Sequence, residues 1–295
     1  MQAAYMLTFI ISPKHIYPNY HMILQQTYPL HDGRFIPRIA LGTWQMSPQQ
    51  AYDACSEAIK AGYVSIDTAA AYENESAVGA AVRDSHAKRE TLFITSKVPA
   101  EIKDYDAAKK QIEQSFRLLD IDYIDLMLIH APKPWDEMHR GSTRNYDAEN
   151  LMVWKALQEA QQDGRVKSIG VSNFNTDDLD NIISKSGQIP VVNQIRVHVG
   201  HVPEDVMDYC KQRQIQIMSY APIHTGRLLH HEPLVRMAEK YGVSVAQLCI
   251  RFDYQLGTIV LPKSTHAERI RQNADIDFEI SSEDMQLLLR MSEKE

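Results

Sequence analysis

The sequence is poor in cysteine, in long apolar runs and in the motifs that mark the commonest cofactor and hydrolase sites. Only Cys55, Cys210 and Cys249 stand among its 295 residues. Their number is odd and their spacing fits no zinc or redox motif. That argues against a disulfide framework and for reduced thiols in a cytosolic protein. No apolar run approaches the roughly 20 residues that span a bilayer. Acidic residues (38) outnumber Lys and Arg (31), giving a formal net charge of -7, and the basic residues are scattered. That balance disfavours nucleic-acid binding, which works by neutralising phosphates, and it disfavours an anionic membrane surface. There is no G-x-G-x-x-G turn, no G-x-S-x-G elbow and no H-x-H or H-E-x-x-H pair. A Rossmann dinucleotide domain, a serine hydrolase and a metal centre each lack their signature. No repeat and no low-complexity linker divides the chain.

What is present is a regular alternation. Hydrophobic residues make up 44%, ample for a sizeable core. Residues 1–21, "MQAAYMLTFIISPKHIYPNYH", lack the basic stretch and cleavage site of a signal peptide and are expected to form a disordered extension. From Met22 to Glu295 a single domain is expected. "TYPLHDGRFIPRI" reads as a hairpin turning at Asp32-Gly33. Eight short apolar strands follow, from "IALGTW" to "GTIVLP", each separated from the next by a helical stretch. The first helix is marked by Ser47 as N-cap, Pro48 at its first position and Gly62 past its end. Strands alternating with helices imply a parallel sheet, and eight such units in this length fit a closed (β/α)8 TIM barrel with an N-terminal β-hairpin. The long stretch 131–150, with Trp135, Met138, His139 and Tyr146, interrupts the rhythm after strand four and is expected to be a lid.

Catalytic groups in a barrel come from the C-terminal ends of several strands. Here those ends carry Asp67, Lys97, His130, Ser172-Asn173, Asn193-Gln194, Tyr220 and Lys263-Ser264 in turn. One such residue has a bland structural explanation. Seven strand ends in succession would crowd polar groups into one bowl, where burial is costly unless they pair. Asp67, Tyr72, Lys97 and His130 would meet there. A phenol is a weak acid at neutral pH; an ammonium beside it, Lys97 held by Asp67, is expected to lower its pKa. His130 would orient a substrate oxygen. This set suits giving a proton to an oxygen that gains negative charge.

These residues resemble the aldo-keto reductase signature. "GYVSIDTAAAYENE" carries its Gly, Asp-Thr-Ala and Tyr-x-Asn-Glu at matching offsets. "LGTW", "ITSKV", "DLMLIH", "IGVSNF", "VVNQI" and "LPKSTHAERIRQN" follow in order. The resemblance covers about residues 25–290. It implies a (β/α)8 barrel that transfers a hydride from NADPH to the carbonyl carbon of an aldehyde or ketone. It maps the catalytic tetrad onto Asp67, Tyr72, Lys97 and His130, with Tyr72 as proton donor. It places Thr43, Asp67, Ser172, Asn173, Gln194 and Tyr220 around the nicotinamide. Lys263, Ser264 and Arg269 fall at the adenosine 2′-phosphate, with Gln272 and Asn273 near the adenine. A Lys, an Arg and a hydroxyl match a phosphate dianion, so NADPH is expected over NADH. Trp44, Tyr72, His130 and Ala131 are the implied substrate contacts.

The chain also departs from the family pattern. "NQIRVHV" puts Arg196 where an acid is common and Val199 where proline is. Ala131 stands where Trp often follows the catalytic His, which implies a wider pocket. The chain stops soon after its last helix, so specificity should rest on Trp44, Ala131 and residues 131–150, and should be broad. No metal is expected, the cytoplasm is the expected compartment and monomer is the family default. A different class of reading is a cofactor-binding regulatory subunit on the same scaffold with little turnover, which the intact tetrad opposes. An unrelated barrel lyase or isomerase is disfavoured by the cofactor-side residues of strands five to eight.

Overall fold

A computed structural model of the protein describes residues 23–292. The extension expected at 1–21 lies outside the described residues. The first pair of strands, β1 (Thr27–Pro29) and β2 (Phe35–Pro37), form the expected antiparallel hairpin. Gly33 turns it at φ +86°, a backbone region that glycine enters without a Cβ clash.

Eight parallel strands then follow in sequence order: β3 (Leu41–Gly42), β4 (Ser65–Asp67), β5 (Phe93–Val98), β6 (Ile124–Ile129), β7 (Val166–Ser172), β8 (Val192–Arg196), β9 (Gln216–Tyr220) and β10 (Ile259–Leu261). A parallel bridge between Ile39 and Val260 joins the last strand to the first. Gly42 N–H donating to the Pro262 carbonyl at 3.0 Å extends that seam. The ring so closed is the (β/α)8 barrel expected from the alternation.

Helices α1 (Pro48–Lys60), α2 (Glu75–Asp84) and α3 (Tyr105–Leu119) alternate with the early strands. Ser47 caps α1 through a capping box with Gln50, and Pro48 occupies its first turn, as the local signals require. The 131–150 stretch is less irregular than its composition implied. It contains a short helix α4 (Trp135–His139) ahead of α5 (Asp147–Gln162). Its own polar groups hold it: Lys133 donates to the Ser142 carbonyl at 2.7 Å, and Tyr146 to Glu137 at 2.6 Å. The helical region 231–256 is two helices, α8 (Glu232–Tyr241) and α9 (Val245–Gln255), preceded in the later half by α6 (Thr176–Ser186) and α7 (Glu204–Gln212). Gly242 separates α8 from α9 in the left-handed conformation. Helices α10 (Ala267–Ala274) and α11 (Ser282–Arg290) follow β10.

Alternation along the strands decides which side chains reach the barrel interior. On β6, Leu126 and Leu128 pack inward with Leu30 and Ile36 of the hairpin, whereas Met127 and Ile129 pack outward against the helices. On β5, Phe93 faces in and Ile94 and Val98 face out. Continuing the same parity brings Lys97 and His130 to the interior at the C-terminal mouth. The hairpin closes the other end, where Ser168 Oγ donates to Asp32 at 2.6 Å. Inside β7 there is little room. A Cβ on Gly170 would lie 2.6 Å from the Val192 carbonyl oxygen, so glycine is required for the close approach of neighbouring strands.

Candidate active site

Most of the polar strand ends predicted from the sequence converge at the C-terminal mouth. Lys263 and Ser264 do not join them, and Asn193 faces outward, its Nδ2 donating to the Phe174 carbonyl at 2.9 Å. Asp67 ends β4 and is buried at the mouth. Its Oδ1 accepts from Lys97 Nζ at 2.6 Å, and its Oδ2 from Gln194 Nε2 at 2.8 Å. Lys97 is fully buried, and a second N–H donates to the Thr68 carbonyl at 2.8 Å. The third direction of its ammonium faces the Tyr72 hydroxyl at 3.4 Å. Tyr72 arrives from a single 3-10 turn, Ala70–Tyr72, which directly follows β4. Its ring meets His130 edge-on, with centroids 5.6 Å apart. All four residues of the predicted constellation are therefore neighbours.

Their electrostatics differ from the expectation in one respect. Burial first, and the Asp67 charge second, hold the Tyr72 hydroxyl well above the usual tyrosine range. The expected lowering by Lys97 does not prevail, because burial disfavours the phenolate and the adjacent Asp67 charge adds to that. Burial also lowers the Lys97 pKa, against the opposing pull of Asp67. His130 is pushed down to about 3, by burial and then by the charge of Lys97. It is consequently neutral at physiological pH. Its buried Nδ1 has no hydrogen-bond partner among the described residues.

A second group of predicted residues lines the adjoining strand ends. Asn173 adopts the left-handed backbone at φ 62° just past β7, a conformation Asn tolerates better than most residues. Its Nδ2 donates to the His130 carbonyl and to Ser172 Oγ, each at 3.0 Å, and its Oδ1 accepts from Tyr220 at 2.8 Å. Ser172 Oγ donates in turn to the Gln194 carbonyl at 2.8 Å. Thr43, just beyond β3, is buried and donates to the Asp67 carbonyl at 3.1 Å. Tyr220 is half-buried at the end of β9, and burial raises its pKa while Arg196 opposes the rise. Arg196 lies two residues past Gln194, so it shares that residue's inward face.

Lys263, Ser264, Arg269, Gln272 and Asn273 lie apart from this cluster, on the segment after β10 and along α10. Lys263 and Arg269 are exposed, and neither has an ion-pair partner among the described residues. Ser264 Oγ accepts from His266 N–H at 3.1 Å, at the start of α10, whose first turn has no side-chain cap. Two unpaired cations, a hydroxyl and a helix N-terminus suit a phosphate dianion. The mouth supplies amides and a phenol ring suited to a carboxamide on a flat ring. The residues present thus fit a phosphorylated nicotinamide dinucleotide.

Two expected substrate contacts stand differently. Trp44 is 48% exposed beside the mouth, whereas Ala131 has no exposed surface and its carbonyl accepts from Lys103 at 2.9 Å. A second ring beside His130 belongs to Trp135 of α4, edge-on at 5.3 Å and stacked in turn on His139. The sequence places Trp135 in the expected lid at 131–150, without a contact to His130. Glu75, the acid of the Tyr-x-Asn-Glu motif, is a further buried group beside this cluster. It accepts from Ser96 Oγ at 2.6 Å, and burial raises its pKa against the opposing Ser96 and Ser115 hydroxyls and Lys97. Its signal was the acid immediately following a motif asparagine, at the first position of a helix.

Comparison with known proteins agrees with this geometry. Residues 38–293 match the family described as Aldo/keto reductase family. The glyoxal reductase of Bacillus subtilis (strain 168) is 40% identical over 264 residues, covering 89% of this chain and 91% of that protein. A crystal structure of an aldo/keto reductase from Brucella melitensis superposes with a TM-score of 0.83 at 37% identity, covering 90% of this chain and 97% of that one. A variant of the protein Gox0644, solved in complex with NADPH, gives a TM-score of 0.82 at 36% identity, covering 92% and 94%.

Proposed function

The chain belongs to the aldo/keto reductase family, and we propose that it is an NADPH-dependent reductase of small aldehydes and ketones with Tyr72 as its proton donor. One observation carries the reading. A tyrosine hydroxyl, a buried Lys–Asp pair and a neutral histidine meet at one barrel mouth, with Lys97 Nζ 3.4 Å from the Tyr72 oxygen.

Reduced nicotinamide, when bound, supplies the hydride to the carbonyl carbon. Ser172, Asn173 and Gln194 would hold its carboxamide, and Tyr220 its ring. Thr43 and Asp67 would lie beside them. Lys263, Ser264 and Arg269 would take the 2′-phosphate, with Gln272 and Asn273 toward the adenine. The pairing of Lys263 and Arg269 with a dianion supports NADPH over NADH.

The chain's own residues manage the proton. His130, neutral because burial and Lys97 disfavour its charged form, donates its one N–H to the substrate oxygen and fixes its direction. The raised pKa keeps Tyr72 protonated across the neutral range. As the carbonyl oxygen gains charge it becomes a far stronger base than the phenolate. The Tyr72 O–H bond then breaks and the proton moves to that oxygen. The resulting phenolate faces the Lys97 ammonium, whose position is set by Asp67 and the Thr68 carbonyl. These four groups serve turnover, which favours a reductase over a regulatory subunit.

Trp44 and Trp135 would flank the substrate. The three cysteines are free and buried, which supports a reducing compartment such as the cytoplasm, and no helix among the described residues is long and apolar enough to cross a membrane. The test is a screen of NADPH with aldehydes, ketones, dicarbonyls and keto sugars, followed by loss of reduced-nicotinamide absorbance. Small dicarbonyls head the panel because a relative is named for glyoxal. Loss of absorbance with at least one carbonyl class is expected; none with any class overturns the reading.

A further inference from the structure

Asn74 stands at the N-cap of α2, a position where asparagine ordinarily accepts a hydrogen bond from its own helix. Its side chain makes no such bond. It is fully buried and turned toward other segments. Its Nδ2 donates to the carbonyls of Thr43 at 3.0 Å and Met46 at 3.2 Å. Its Oδ1 accepts from Thr68 Oγ1 at 2.8 Å, with Thr43 Oγ1 at 3.5 Å. Both donors of the amide are therefore engaged, and its oxygen accepts from Thr68, since the single Thr43 hydroxyl proton goes to the nearer Asp67 carbonyl at 3.1 Å.

Each partner leads to the reacting groups. Thr43 and Met46 bracket the turn that carries Trp44. That turn is tight: Gln45 has φ 56°, and Met46 N–H donates to the Thr43 carbonyl at 3.2 Å. Thr68 uses its carbonyl to accept from Lys97 Nζ. Asn74 itself lies two residues after Tyr72, across a left-handed Glu73 at φ 57°. One buried amide thus ties together the segment holding Tyr72, the residue that receives Lys97, and the turn presenting Trp44.

We propose that Asn74 is a positioning residue for carbonyl reduction, a clamp that sets the Tyr72 hydroxyl against Lys97 and locks the Trp44 turn to the same frame. The inference rests on the reductase reading. Its chemistry is indirect: a hydroxyl misplaced by about 1 Å can slow a positioned transfer by about 100-fold, while the phosphate-side groups Lys263, Ser264 and Arg269, on other segments, are undisturbed.

The experiment compares wild type with Asn74→Ala and Thr68→Val by steady-state reduction, NADPH titration, the solvent deuterium isotope effect on kcat and backbone hydrogen exchange. Asn74→Ala is expected to lower kcat by about 10- to 100-fold, to change NADPH affinity by less than about threefold, and to raise the isotope effect as proton transfer slows. Exchange is expected to accelerate together in residues 43–46 and 68–74. Thr68→Val, which removes one link and keeps the shape, is expected to move every readout the same way by a smaller factor. It decides the matter if Asn74→Ala does not fold. Wild-type kcat and exchange in a folded variant would overturn the clamp. So would a fall in kcat with an unchanged isotope effect, the outcome of a purely structural role. If wild type reduces no carbonyl, the reductase reading fails, and the exchange pattern still decides whether the two turns are joined through Asn74.

Discussion

Lys97 and Asp67 face each other at 2.6 Å with side chains only 0% and 4% exposed. A pair so far from water holds together because each partner removes the cost of burying the other. Replacing one alone leaves a charge without its counter-ion, and such losses amount to about 3–5 kcal/mol. Asp67→Asn and Lys97→Met are each expected to destabilise the fold on that scale. The double variant should lose clearly less than the sum. Urea unfolding of the four proteins checks this, and strict additivity would show that the pair is not coupled.

The histidine predicts a pH dependence. An ordinary histidine titrates near 6.5, but in the folded chain His130 is held down to about 3. Between those values the unfolded chain binds a proton that the folded chain does not. Stability therefore rises with pH across that window and is lost as pH falls through it, at up to about 1.4 kcal/mol per unit. His130→Gln removes this contribution. Wild type should lose stability faster than the variant as pH drops from about 7 to about 4; parallel pH profiles would contradict the assignment.

The cations after β10 predict cofactor selectivity. Hydrogen bonds to charged groups contribute about 1.5–3 kcal/mol each, so Lys263→Ala with Arg269→Ala should weaken NADPH binding on the order of 100-fold or more. NADH, lacking the 2′-phosphate, should be little affected. The difference should shrink with added salt, since both side chains are exposed. Cofactor titration by fluorescence reads it directly, and equal losses for the two cofactors would place the phosphate elsewhere.

Much of this site could be read from the chain because strand periodicity is a local rule. Lys97, His130, Gln194 and Tyr220 lie on the inward parity of short strands, so identifying the strands was enough to bring them to one mouth. The Asp32-Gly33 hairpin and the Ser47-Pro48 helix start were equally legible, since turns and caps depend on a few adjacent residues. What escaped depends on distant neighbours. Trp135 reaches His130 only because α4 brings its ring beside the mouth, and Ala131 is buried although its place after a strand gave no sign of it. The Tyr72 pKa moves upward because burial and Asp67 act together, a balance that residue types alone do not fix. Asn74 has the spelling of a helix cap, and only the fold shows its amide turned away from its own helix.

The proton donor is the centre of the account. Tyr72→Phe keeps the ring that meets His130 and removes only the hydroxyl facing Lys97. A general acid of this kind contributes on the order of 100- to 10,000-fold. The decisive measurement is the single-turnover rate of carbonyl reduction by Tyr72→Phe already saturated with NADPH. A fall of that size with NADPH affinity retained is the predicted result; an undiminished rate would show that the proton comes from another group.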